Sequence, residues 1–231
     1  MNVVRVLPLL TVLLALPPGV RAEGAKSYAD MPVQSGGAFS VPVHSIKDLR
    51  FRNTIHQQYD FSCGSAALAT LLTHHYAYPV SEQDVFREMF ERGDKDKIRR
   101  EGFSLLDIKG YLENHGFQAD GYVADVEQLV KVGIPAIALI KDSGYYHFVV
   151  VKGLRGGRVL VGDPSSGSRA MPERQFKELW VNRVLFVIHN KIEIASFNAE
   201  QDWRAAPRAP LGDGIYRGIA DALPKRGPSD Y

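Results

Sequence analysis

The stretch Tyr145-Tyr146-His147-Phe148-Val149-Val150-Val151-Lys152, then Gly153-Leu154-Arg155-Gly156-Gly157, then Arg158-Val159-Leu160-Val161-Gly162-Asp163, decides how this chain folds. β-Branched and aromatic residues fill both arms, and the glycine-rich connector between them reads as a hairpin. Outward from it, residues 134–141 and 183–189 are two further β-rich runs. Pro172 fits the first position of a helix running to Trp180. On the N-terminal side the period changes. From Cys63 to Tyr76, the side chains of Ala67, Leu68, Leu71, Leu72 and Tyr76 share one helical face. Ser81 with Asp84, and Ser104 with Asp107, open two more helices as capping-box-like pairs. The first runs through Phe90; the second ends at His115, with Gly116 just beyond it. Asp125 is expected to cap a short helix stopped at Gly133. Helices first and antiparallel strands second is an α+β arrangement.

The ends read differently. Arg5, an apolar run over residues 6–16 and the breakers Pro17, Pro18 and Gly19 form a secretory signal peptide over residues 1–22. The run is shorter than the roughly 20 residues a bilayer span needs. Residues 23–50 are expected to be an extended lead-in with a short strand at 38–43. Residues 51–190 are the folded domain. Residues 191–231 are a surface or disordered tail, with Trp203 as its anchor. Gly36-Gly37 is read as a flexible linker rather than a self-processing site.

The 231 residues are 45% apolar and 23% charged, which is ordinary for a globular protein and excludes a disordered, collagenous or multi-span chain. A net charge of +2 with no basic stripe speaks against nucleic acid. The one arginine-rich spot, residues 95–100, also carries acids and reads as a solvated loop or helix end. No P-loop glycine motif is present, so ATP is not expected. A zinc site is poorly supported: one cysteine and seven scattered histidines give no ligand spacing, and His74 and His75 diverge on a helix.

The cysteine count sharpens the reading. Cys63 is the only cysteine, so it is either a small buried hydrophobe or a nucleophile. It sits where a loop becomes a helix, in Phe61-Ser62-Cys63-Gly64-Ser65. There the helix dipole and free N–H groups are expected to favour thiolate and lower the thiol pKa. His147 lies mid-strand, where a polar group must be satisfied or used. Asp163 ends the returning arm of the hairpin, so antiparallel pairing brings it beside His147, where it can orient the imidazole. Gln57, six residues before Cys63, can fold back as an oxyanion donor together with the Cys63 N–H; Gln58 is the alternative.

Glutamine, five residues, Cys-Gly at a helix start, a strand histidine and Asp-Pro sixteen residues later: this order resembles the bacteriocin-processing (double-glycine) peptidases, which are papain-like cysteine peptidases. The similarity covers about residues 52–190. It implies a papain-like fold, N-terminal helices packed on a C-terminal antiparallel sheet, and no cofactor. It also implies cleavage of a polypeptide after two small residues, often Gly-Gly. Carried over, Cys63 is the nucleophile, His147 the base, Asp163 the orienting carboxylate and Gln57 the oxyanion donor. The family usually has an acidic residue before the nucleophile and often a proline two after it; here Ser62 and Ser65 stand there. The layout further resembles free-standing peptidases of functional-amyloid secretion systems. That implies a periplasmic location and an exported substrate, an amyloid subunit or secretion-channel component. A non-catalytic peptidase-like module that binds a secreted polypeptide is the competing reading. Transglutamination or another acyl transfer uses the same groups.

Overall fold

The computed structural model describes residues 27–33, 37–43 and 45–207. The signal-peptide reading at 1–22, Gly36 of the glycine pair and the tail beyond 207 lie outside them. Two compact units divide at His44 and Ser45. In the first, β1 (Ser27–Val33) and β2 (Gly37–Val43) form an antiparallel hairpin pairing Ser27 with Val43 and Val33 with Gly37.

The second unit begins with α1 (Ile46–Phe51), opened by a reciprocal Ser45–Asp48 capping box. It continues with α2 (Cys63–His75), α3 (Glu82–Arg92), α4 (Lys95–Glu101) and α5 (Leu105–Asn114). Then come β3 (Ala119–Val123), α6 (Glu127–Val132), β4 (Ala136–Asp142), β5 (Tyr145–Arg155), β6 (Arg158–Asp163) and β7 (Gly167–Pro172). Last are α7 (Glu173–Leu179), β8 (Val184–Ile188) and α8 (Glu200–Trp203). The six strands from β3 to β8 form one antiparallel sheet in the order β3-β8-β4-β5-β6-β7. Among the described residues no helix is long and apolar enough to cross a membrane.

Strand β5 explains the layering. Side chains alternate faces along a strand, and both faces of β5 are apolar. Phe148 and Val150 join the core built on α2, α3 and α5, whereas Val149 and Val151 join a second core with Val159, Val161, Phe176 and Trp180. A strand buried on both faces reads as a continuous apolar run, as Phe148 to Val151 does. Helix α2 is buried on nearly every side, from Gly64 through Leu72, as an all-round apolar helix must be. Its small residues let it approach the sheet closely. A Cβ on Gly64 would stand 2.9 Å from the Phe103 Cβ and 3.6 Å from the Phe148 ring.

Three sequence expectations need correction. Residues 95–100, read as a solvated loop or helix end, make up nearly all of α4, capped by the Asp94 carboxylate on the Asp96 and Lys97 N–H groups, with Ile98 buried. Asp125 does not cap α6, whose N-cap is Val126 without a side-chain bond. Pro172 is the N-cap of α7 rather than its first residue. Strands β3 and β7 carry no clear alternation and are made strands by pairing with β8 and β6. The two serine-capped helices begin where expected: the Ser81 and Ser104 hydroxyls accept from the Asp84 and Asp107 N–H groups. Gly116 follows α5 at φ 77°.

Residues beyond β8 return along β5. The Asn198 carboxamide accepts from the Leu154 N–H at 2.8 Å and donates to the Leu154 carbonyl at 3.2 Å, acting as a one-residue strand partner. Only glycine fits beneath it: a Cβ on Gly153 would stand 2.4 Å from Asn198 Oδ1 and 3.3 Å from the Asn198 Cα. Gly153→Ala is therefore expected to lever the segment off β5 and cost about 1–3 kcal/mol, measured as a lowered urea midpoint and faster proteolysis near residue 198.

His75 sits beneath the same segment. Its Nδ1 donates to the Ser196 carbonyl at 2.7 Å, and Nε2 is buried without a partner. Burial, with the nearby Lys152 charge, lowers its pKa to about 4. The unfolded chain binds the proton near pH 6.5 and the folded one only near 4. Stability is thus full above about pH 6.5 and declines as pH falls from there, by on the order of 1–2 kcal/mol at about pH 5. Urea midpoints at the two pH values check this, and His75→Gln should flatten the slope.

Candidate active site

The loop entering α2 is held by its own backbone. The Ser62 hydroxyl donates to the Tyr59 carbonyl and accepts from the Tyr59 N–H. That uses up the hydroxyl, so α2 starts without a side-chain cap and Cys63 stands at an open helix mouth. Ser65 donates to the Ser62 carbonyl and to the buried Glu82 carboxylate. The two serines at the positions where the resemblance departs are therefore structural ties of the turn that carries Cys63.

Cys63 is half-buried. Here the expected lowering of its thiol pKa is overturned. Burial raises it most, and the Asp163 charge adds to the rise; the N–H groups of Phe148, Gly64 and Cys63 itself oppose it without winning. The dipole is present, but removing the sulfur from water costs more. A raised thiol needs a base beside it. Cys63 packs against the core that contains Phe148, the residue after His147.

The β5–β6 register brings the imidazole and carboxylate together. Val150 opposes Gly162, so one step further Asp163 falls opposite Val149. Cross-strand partners share a face, and so do residues two apart. Asp163 and His147 are consequently diagonal neighbours on one face. His147 Nε2 donates to Asp163 Oδ2 at 3.2 Å, which leaves Nδ1 for proton exchange. Asp163 Oδ1 accepts from the Ser165 N–H at 2.9 Å and its hydroxyl at 2.7 Å. Burial of Asp163 opposes ionisation, but the bonds from His147 and Ser165 outweigh it and hold the carboxyl well below the usual carboxylate range. It stays charged throughout the neutral and mildly acid range.

Gln57 reaches the same place by its backbone: its N–H donates to the Pro164 carbonyl at 3.0 Å. Its carboxamide, however, donates to the Tyr59 carbonyl at 3.0 Å, so an oxyanion role requires it to rotate out of that bond. Gln58 is turned away and accepts from Gln83 on α3 at 3.2 Å. A cleft of about 640 Å³ is lined by Gln57, Asp60, Asp142, His147, Asp163 and Arg169, among others. Cys63 is not among its lining residues. Arg169, Asp142 and Ser165 were missed in the sequence. Ser165 had a signal, standing two residues after Asp163; the other two are joined to the site only by the sheet. Among the described residues no group of three or more metal-ligating side chains is gathered.

A model of the peptidase C39 family matches residues 52–192. The chain belongs to this family of cysteine peptidases. Peptidase C39 relatives include two proteins named "Probable functional amyloid protease FapD". The one from Pseudomonas aeruginosa is 41% identical over 153 residues, 66% of this chain and 67% of that protein. The one from Pseudomonas fluorescens is 38% identical over 176 residues, 76% of each. The crystal structure of the peptidase domain of Streptococcus ComA superposes with a TM-score of 0.50 at 21% identity, covering 58% of this chain and 96% of that domain. That likeness bears out the α+β, papain-like C39 peptidase fold.

Proposed function

We propose that this chain is an endopeptidase that cleaves an exported polypeptide after a pair of small residues, with Cys63 as nucleophile and His147 as base. Asp163 orients the base, and Gln57 with the Cys63 N–H receives the oxyanion. The protein is read as periplasmic, its residues 1–22 a cleaved signal, residues 51–190 the catalytic domain and residues 191–231 its tail. The substrate is an amyloid subunit or a component of its secretion channel, supported by the names of the two Pseudomonas relatives.

The carrying observation is the His147–Asp163 bond of 3.2 Å, with Cys63 packed against the core that contains Phe148, the residue after His147. From it the steps follow. His147 Nδ1 takes the thiol proton, and the sulfur attacks the peptide carbonyl. The tetrahedral oxygen is met by N–H donors. The imidazolium gives its proton to the leaving amine, and the C–N bond breaks to leave a thioester. Water, deprotonated by His147, hydrolyses that thioester and frees the thiol. The ionised Asp163 stabilises the imidazolium at each stage.

A thiol-reactive peptide probe ending in Gly-Gly tests this on the intact chain. Labelling is expected at Cys63 and is lost in His147→Ala. Labelling that persists in folded His147→Ala removes the imidazole from the mechanism. A probe that never reacts, with no cleavage of co-expressed exported proteins, favours a module that binds without cutting.

A further inference from the structure

We propose that Arg169 is a positioning residue for the Cys63–His147–Asp163 assembly, clamping the Asp163 carboxylate and offsetting its charge at the sulfur. The inference rests on the peptidase reading above.

Arg169 lies in β7, opposite Val161 of β6. Its Nη2 donates to Asp163 Oδ2 at 3.2 Å and to Asp142 Oδ2 at 2.8 Å. The Asp163 oxygen it holds is the one that His147 also uses. With Ser165 on Oδ1, both carboxylate oxygens are engaged and the group has one orientation. Bonds between ionised partners are the strong ones, and the Arg169 side chain is only 29% exposed, so solvent screens it incompletely. Its Nε is buried without a protein partner. An unsatisfied buried donor is a cost, so the two carboxylates hold the guanidinium in this pose.

Charged and titratable groups come to the cleft and to the Cys63 turn from several elements. Asp163 ends β6 and His147 lies in β5. Asp142 ends β4, Arg169 lies in β7, and Glu82 of α3 accepts from Ser65 in the same helical turn. Asp60 lines the cleft. The Asp163 charge disfavours the Cys63 thiolate. Arg169 is the cation bonded to that carboxylate. Without it, the Asp163 charge acts on the sulfur with no cation bonded to that carboxylate, and Oδ2 is held by His147 alone.

The test is the pH dependence of Cys63 alkylation by iodoacetamide in the full chain, from about pH 5 to 10. Cys63 is the only cysteine, so the label reports one site. Arg169→Gln is expected to move the profile up by about half a pH unit or more, slowing alkylation near neutrality about threefold. The kcat/KM profile for peptide cleavage should move the same way, with kcat rather than KM carrying the loss. Arg169→Lys keeps the charge and should track the wild type. A Gln profile superposed on the wild type overturns the proposal. So does a uniform slowing without displacement, and so does a folded Lys variant displaced as far as Gln. If the Gln variant fails to fold, the Lys variant decides. Alkylation does not require cleavage: a wild type that never cuts defeats the peptidase reading while the alkylation profiles still judge Arg169.

Discussion

Replacing Cys63 by alanine should lower kcat/KM for peptide cleavage by about 10⁴-fold or more, with the melting temperature changed by only a few degrees. The activity loss follows from the chemistry: no other thiol exists in the chain, and the two hydroxyls of the same turn, Ser62 and Ser65, are engaged with the Tyr59 and Ser62 carbonyls. The stability forecast follows from position. Cys63 is half-buried at the first residue of α2, where alanine is a good helix former and loses only one sulfur's contacts. Because burial raises the thiol, the sulfur depends on His147 for its deprotonation. His147→Ala should thus cost nearly as much as Cys63→Ala, and the double variant should be no worse than either, since groups that act as one unit are not additive. Cleavage assays of the three variants beside a melting curve decide it. Double-variant losses equal to the product of the single ones would mean that the two residues work separately.

Asp202→Ala should lower stability by about 3–5 kcal/mol, the largest effect expected outside the site. Lys152 is fully buried in β5, and its Nζ lies 2.8 Å from Asp202 Oδ1. The ammonium also donates to the Asn53 carbonyl at 2.7 Å, and Asn53 Nδ2 donates to Asp202 at 3.0 Å. Burial lowers the Lys152 pKa against the opposing pull of Asp202. Truncating the aspartate leaves that ammonium unpaired in the interior, which is the costly arrangement. Removing both charges with Lys152→Met and Asp202→Leu is expected to recover most of the loss. Chemical denaturation of the single and double variants measures this; a single variant as stable as the wild type would show the pair to be unnecessary. Three segments meet here: β5 with its histidine, the stretch leading to Gln57, and the returning helix α8. Loss of the pair should accordingly loosen the site before it unfolds the domain.

The hairpin carrying His147 and Asp163 was readable because its arms are rich in Val, Phe and Tyr and its connector is Gly-Gly. The Cys63 helix was readable from its apolar spacing, though one face was expected and nearly all faces are buried. Strand β7 was not readable. Gly167-Ser168-Arg169-Ala170 has weak strand preference and takes its form from the β6 edge, and Arg169 was missed along with it. Helix α4 has good helix formers, but a single buried Ile98 gives no periodicity to find. Lys152 looked like an ordinary strand end, because nothing within reach in sequence shows that Asp202 will neutralise it.

Residue type and spacing alone thus determined the α+β order, the antiparallel hairpin and the meeting of His147 with Asp163. These depend on local preference and on the two-residue period, which act over a few positions. Tertiary structure alone decided the protonation tendency of Cys63, the resting bond of the Gln57 carboxamide and the presence of Arg169 at Asp163. Those depend on burial and on charges brought close by folding, and desolvation is a property of surroundings that no run of neighbouring residues contains.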